Sequence, residues 1–194
     1  MAINKLQFHT AFDTPQKAVF LDRDGVINMD YAYVHLKSEF DFVEGALEGA
    51  RAFAEKGYKV VIITNQSGIG RGKYTEQEFA ELSFWLAGRF DHAGAPLSGI
   101  YFCPHHPKQA SEKYLLDCCC RKPKPGMILA AAEDLNIDLA ESIFIGDKAS
   151  DMKATAAAGI GRRILVCSDG NRPLDNSEDC TDTARNLFEA SVNL

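Results

Sequence analysis

Residues 19–26 read Val19-Phe20-Leu21-Asp22-Arg23-Asp24-Gly25-Val26. Three apolar residues run straight into Asp22, the pattern of a buried strand, and Gly25 then allows a sharp turn. Asp22 and Asp24 lie two apart, so an extended backbone sends both carboxylates the same way. One carboxylate of such a pair can bind a metal and attack phosphorus while the other handles the proton. A strand that merely ends in an Asp-rich turn satisfies the same eight residues. The decision rests on the remainder of the chain.

Working outward, strand and helix patterns alternate. Ala18 to Leu21 is the first strand, and Ala46, Leu47, Ala50, Phe53 and Ala54 form an apolar stripe at helical spacing that Gly57 stops. Lys59 to Thr64 reads as a central strand buried on both faces. Thr75 and Glu78 make a capping-box pattern that opens a helix through about Phe90. A short strand, Ile100 to Phe102, leads into a cysteine-rich segment. Then come a helix over Met127 to Leu135, a strand from Ser142 to Ile145, a short helix closing at Ala154 to Ala158 and a last strand from Ile164 to Val166. A polar tail with Gly170 and Pro173 follows, and a short helix is expected near Thr183 to Ala190. This order predicts an α/β fold, a three-layer Rossmann-like arrangement with a mostly parallel sheet and helices on both faces. Ligands in such sheets bind beyond the carboxyl ends of the strands, where Asp22, Thr64 and Asp147 all fall. The stretch from Gly25 to Thr64 has room for one helix and a loop, not a large cap domain.

A chain of 194 residues suits a single domain over 1–194. A formal charge of −6 argues against a general nucleic-acid or membrane-surface binder. It leaves room for an anionic small-molecule substrate in a local cationic pocket. No segment has the apolar core of a signal peptide or the length of a bilayer span, so a cytoplasmic protein is expected. Nothing in the chain calls for more than a monomer.

Six cysteines in such a chain are not a disulfide framework. Cys103, Cys118, Cys119 and Cys120 share residues 103–120 with His105 and His106, which is a metal signal. Tetrahedral zinc takes four N/S ligands, and a closed Cys₃His set leaves no position for water, so the site would be a structural staple of the 103–120 loop. Cys120 is bonded to Arg121, and Lys122 follows, so fixing Cys120 fixes two cations. Cys167 and Cys180 receive no role.

Asp22-x-Asp24, Thr64-Asn65, Lys122 and Gly146-Asp147 with Asp151, in that order on an alternating α/β chain, resemble the haloacid-dehalogenase-like phosphatases over roughly residues 18–166. That resemblance implies phosphoryl transfer to Asp22 as nucleophile, giving an aspartyl-phosphate. It places Mg²⁺ on the Asp22 carboxylate, the Asp24 backbone carbonyl and the Asp147 carboxylate, hard oxygen ligands suited to that ion. The Asp24 side chain would protonate the leaving alkoxide and then activate water. Thr64 and Lys122 would stabilise the group in transfer. Asp151 is either a carboxylate supporting Asp147 or only a helix cap. For the zinc loop the resemblance selects Cys103, His105, Cys118 and Cys120, and leaves Cys119 pointing elsewhere.

Within the family, Leu21 to Gly25, Tyr31 to Val34, Thr64 to Gly68, Cys103 to Pro107, Cys120 to Pro123, Gly146 to Lys148 and Asp151-Met152 are similar to the heptose bisphosphate phosphatases. The implied reaction is removal of the 7-phosphate of a D-glycero-D-manno-heptose 1,7-bisphosphate, in the synthesis of nucleotide-activated heptose. By the same resemblance Asp30, Tyr31, Ala32 and Tyr33 would line the substrate pocket. Thr64, Asn65, Gln66 and Ser67 would hold phosphate and a sugar hydroxyl, Arg121 the second phosphate, and Lys148 the substrate. Arg71 and Lys73 sit in a Gly-rich stretch that could contact substrate but reads more readily as a solvated loop. Two other readings are a histidinol-phosphate phosphatase, which needs a pocket for a cationic amine, and a zinc-stapled binding module without catalysis.

Overall fold

In the computed structural model, residues 3–167 and 179–194 are described. Seven strands form one sheet: β1 (Asn4–Gln7), β2 (Ala18–Leu21), β3 (Lys59–Asn65), β4 (Leu97–Cys103), β5 (Ile143–Gly146), β6 (Arg162–Val166) and β7 (Asp182–Ala184). Their order across the sheet is β1-β4-β3-β2-β5-β6-β7. Only β1 runs antiparallel, against β4; the other neighbours are parallel.

Among the described residues six α-helices accompany the sheet: α1 (Ala46–Glu55), α2 (Ser67–Gly70), α3 (Glu76–His92), α4 (Gly126–Leu135), α5 (Ala149–Ala158) and α6 (Leu187–Val192). Alternation along β2 sends Val19 and Leu21 to one face, where they pack with Ala50 and Phe53 of α1, Phe79 and Leu86 of α3 and Leu187 of α6. Ala18 and Phe20 point to the other face, against Met127, Ile128 and Ala131 of α4 and Met152 of α5. Helices therefore cover both faces, which gives the three-layer α/β architecture. Every residue of β2 is buried, as the apolar run requires. No helix among the described residues is long and apolar enough to cross a membrane.

The chain winds outward from β2 to β3 and β4 on one side, and from β5 to β6 and β7 on the other. The connections on the two sides diverge at the carboxyl ends of β2 and β5, so a crevice opens there. Asp22 directly follows β2, and Asp147 directly follows β5.

Four local differences from the sequence reading have physical reasons. β1 has one apolar residue with little periodicity, and its place comes from pairing with β4. The α3 capping box at Thr75 and Glu78 forms as its pattern indicates, and the helix runs to His92. α5 begins five residues before its apolar stretch, because Lys148 and Asp151 cap its polar first turn. The segment around Thr183 is split, with β7 pairing to β6 before α6 begins at Leu187. Gly170 and Pro173 lie outside the described residues.

α1 and α6 meet at Gly49, where an added Cβ would stand 2.5 Å from the Leu187 carbonyl carbon. That approach is tighter than any side chain allows. Gly49→Ala is expected to push the helices apart and cost about 1–3 kcal/mol, the range for overpacking. Chemical denaturation checks this, and an unchanged midpoint would contradict the close packing.

Candidate active site

At the crevice the first turn after β2 carries both carboxylates. Asp22 is buried, and the Arg23 amide donates to its own Oδ1 at 2.8 Å. Gly25 has φ +93°, a conformation that favours glycine. Its missing Cβ matters as much, since one there would lie 2.2 Å from Asp147 Oδ2. The turn after β2 and the turn after β5 are thereby pressed together.

Lys122 joins them from the third direction. Its ammonium, 3% exposed, lies 3.0 Å from Asp22 Oδ1 and 2.7 Å from Asp151 Oδ1, and donates to the Ile63 carbonyl at 2.9 Å. Burial alone would lower its pKa, but Asp151 and Asp22 overcome that and raise it. Lys122 stays charged. Asp151, fully buried, also accepts the Lys148 amide at 3.1 Å, so it is both helix cap and ammonium partner. Asn65 clamps the Lys122 backbone in both directions, at 3.1 and 3.2 Å.

Ligand oxygens of Asp22, Asp147 and Asp151 gather within 4.8 Å of one another. Burial pushes Asp22 up to about 7, with Asp151 and Asp147 adding to the rise and Lys122 and Lys148 opposing it. Burial likewise takes Asp147 to about 6. Asp147 Oδ1 is buried without a hydrogen-bond partner. An acceptor left orphaned beside other carboxylates is what a hard divalent cation satisfies, so the donor set fits Mg²⁺.

Asp24 faces a different set of donors. Its Oδ1 accepts from Arg23 Nη2 at 2.7 Å and Asn28 Nδ2 at 3.1 Å, and its Oδ2 accepts from Gln66 Nε2 at 3.0 Å. Burial opposes the charge, but Arg23 prevails and the pKa falls. The same Arg23 guanidinium donates to the Val34 carbonyl at 2.8 Å, tying the loop around Asp30–Tyr33 to the Asp22–Asp24 turn. Gln66 Nε2 also donates to Thr64 Oγ1 at 2.8 Å, while Gln66 Oε1 accepts the buried Tyr74 hydroxyl. His35 stacks on the Tyr74 ring with centroids 5.0 Å apart. The side chains of Asn65 and Gln66 are thus committed to protein partners.

The remaining expected pocket residues are more open. Asp30 bonds Lys148 at 3.1 Å, and Lys148 also lies 3.4 Å from Asp147. Tyr31 and Tyr33 are exposed, and Ala32 and Tyr33 both have φ 59°, an unusual backbone for residues with side chains. Ser67 opens α2 and is half-buried. Arg121 donates to the His105 carbonyl at 3.2 Å. Arg23, Asn28 and Tyr74 escaped sequence reasoning. Arg23 and Asn28 sit within the catalytic turn itself, but Tyr74 carries no local signal.

The cysteine cluster stands just behind Arg121. Cys103, Cys118 and Cys120 are buried, with Sγ separations of 3.4, 3.0 and 3.1 Å, and His105 Nδ1 lies 3.6 and 3.4 Å from Cys103 and Cys120. A zinc tetrahedron with bonds of about 2.3 Å has edges of about 3.8 Å, so the four atoms fit one. Hydrogen bonding from Cys103, with help from Cys118 and His105, pulls the Cys120 thiol down to about 5, toward the thiolate a metal requires. Cys119 is exposed and turned away.

The HAD-hydrolase-like family model matches residues 119–190. A D-glycero-beta-D-manno-heptose-1,7-bisphosphate 7-phosphatase of Vibrio cholerae serotype O1 is 52% identical over 149 residues, 77% of this chain and 80% of that protein. The enzyme of the same name from Escherichia coli K12 is 46% identical over 77% of this chain and 78% of that protein. The chain belongs to the haloacid-dehalogenase-like phosphatases. This phosphatase, a phosphoric monoester hydrolase, also superposes on solved relatives. A D,D-heptose 1,7-bisphosphate phosphatase of B. bronchiseptica, complexed with magnesium and phosphate, matches with TM-score 0.75 and 28% identity, over 91% of this chain and 97% of that one. Its counterpart from Burkholderia thailandensis matches with TM-score 0.62 and 27% identity, over 92% and 97%.

Tyr74→Phe removes the donor to Gln66 Oε1 and leaves that buried oxygen unpaired. The expected loss is about 1–3 kcal/mol of stability, read as a lower midpoint in urea. An unchanged midpoint would contradict the buried network.

Proposed function

We propose that this phosphatase removes the 7-phosphate of D-glycero-β-D-manno-heptose 1,7-bisphosphate, with Asp22 as nucleophile. The observation that carries the reading is the buried Lys122 ammonium 3.0 Å from Asp22, beside Asp147 at the crevice. The β anomer follows the names of the curated relatives. Phosphoryl transfer asks a protein mainly for position and charge neutralisation, and this arrangement offers both.

Asp22, Asp147 and the Asp24 carbonyl would hold Mg²⁺. When bound, that ion supplies positive charge to the phosphoryl oxygens and makes phosphorus more electrophilic. The Asp22 carboxylate attacks phosphorus, and the bond to the sugar oxygen breaks. The departing alkoxide takes a proton from Asp24. Water then attacks the phosphoryl-Asp22, giving its proton back to Asp24, and the Asp22 carboxylate is restored as phosphate leaves. In the free protein Arg23 holds Asp24 as the carboxylate that the second step needs. A dianionic substrate beside it raises its proton affinity for the first.

Lys122 and the Thr64 hydroxyl stabilise the group in transfer. Asn65 acts through the Lys122 backbone, and Gln66 through Asp24 and Thr64. Asp30, Tyr31, Ala32, Tyr33 and Ser67 shape the sugar pocket, with Lys148 at its edge and Arg121 on the second phosphate. Such a concentration of cations suits a bisphosphate and repels the amine of histidinol phosphate. Zn²⁺ on Cys103, His105, Cys118 and Cys120 staples the loop that ends in Arg121 and Lys122.

Two outcomes test this. Asp22→Asn should fold normally and lose turnover by at least about 10³-fold with Mg²⁺ and the heptose bisphosphate, the scale of losing an essential nucleophile. Turnover by the pure variant near the wild-type rate would reject the mechanism. Cys118→Ser should lower zinc content by elemental analysis, thermal stability and kcat together. A variant that keeps full stability and rate without zinc would reject the staple.

A further inference from the structure

Arg71 departs from the solvated loop that its Gly-rich setting suggests. It caps α2, half-buried, with Nε fully buried and without a hydrogen-bond partner. Other arginines are engaged: Arg23 with Asp24, Arg51 with Glu55, Arg162 with Asp182, Arg185 with Glu189, and Arg89 against Trp85. Among the described residues, Arg71 alone of the arginines has no side-chain hydrogen bond, ion pair or ring contact. A guanidinium whose Nε is buried without a carboxylate, while its other nitrogens face an open cleft, suits an anion that is not part of the fold.

Its surroundings fit such an anion. Arg71 lines an open cleft of about 360 Å³ with Lys73, Gln109 and Ser111, and no carboxylate belongs to the lining. Lys73 also lies 6.0 Å over the Tyr33 ring, on the loop expected to hold the sugar. The cleft is rigidly joined to the catalytic side. Ser111 donates its amide to the Gly70 carbonyl at 2.8 Å, and a Cβ on Gly70 would stand 2.4 Å from the Pro104 carbonyl oxygen. The end of α2 is therefore seated on the cysteine loop. Arg121 is fixed to that same loop through the His105 carbonyl. An α-helix rises about 5.4 Å per turn, so Arg71 stands about one turn beyond Ser67 at the start of α2. Ser67 is one of the residues expected to hold phosphate and a sugar hydroxyl, so α2 leads from that end of the pocket to Arg71.

We infer that Arg71 is a specificity-determining residue that binds the remote phosphate of the substrate together with Arg121, both being held on the cysteine loop. A planar guanidinium can grip two phosphate oxygens at once, which an ammonium cannot. The inference rests on the bisphosphatase reading above.

The test compares two substrates, the heptose 1,7-bisphosphate and the heptose 7-phosphate that lacks the remote group. Arg71→Ala should lose about ten- to hundredfold in kcat/KM on the bisphosphate, mainly through KM, and several-fold less on the monophosphate. Arg71→Lys should recover only part of the loss. Circular dichroism and the melting temperature establish that each variant is folded. A wild-type enzyme without preference for the bisphosphate would overturn the parent reading. A wild-type preference that Arg71→Ala leaves intact would overturn the Arg71 assignment alone, and so would equal losses on both substrates.

Discussion

A buried ammonium, Lys122, is the constraint on which the rest of this molecule depends. It has given up water for two carboxylates and one carbonyl, and removing one partner of such a group typically costs about 3–5 kcal/mol. The three partners come from three separate segments: Asp22 after β2, Ile63 within β3 and Asp151 on the helix after β5. Lys122 itself is placed by a fourth segment, the cysteine loop, and by the two-way clamp of Asn65. Strand order, cysteine loop and Asp22–Asp24 turn therefore have to agree to within a hydrogen-bond length.

That requirement explains why the carboxylates are crowded. Asp22, Asp147 and Asp151 share a small buried volume with Lys122 and, at its rim, Lys148. One ammonium does not balance three carboxylates, and the orphaned Asp147 Oδ1 marks where further positive charge fits. Asp24, two residues on, lives apart from this crowd, held by Arg23, Asn28 and Gln66. Two carboxylates two residues apart thus meet opposite environments, one raised in pKa and one lowered. Separation of that kind suits one turn to the proposed division of labour, one group reacting with phosphorus and the other moving protons.

Much of this was legible in the sequence, for identifiable reasons. β2 and β3 are buried on both faces and read as unbroken apolar runs, and the α3 cap is local chemistry between Thr75 and Glu78. Asp22 and Asp147 stood out because each follows such a run. Features that depend on long-range packing were silent. β1 is mostly polar and gains its place only from β4, while Tyr74 reaches Gln66 only because the Gly68–Gly72 turn folds back over itself. Gly68 makes room for that ring, since a Cβ there would lie 2.2 Å from it. The role of Gly70 was silent for the same reason: Gly70 and Gly72 look like solvent-facing punctuation, but Gly70 is the contact that seats α2 on the cysteine loop.

If phosphorus passes through Asp22, the stereochemical course of hydrolysis at phosphorus must show it. A bisphosphate made chiral at the 7-phosphorus with oxygen isotopes and thio substitution would be hydrolysed in labelled water, and the configuration of the released thiophosphate determined. Two successive in-line displacements, first by Asp22 and then by water, predict net retention. Net inversion would mean a single direct attack by water and would contradict the account.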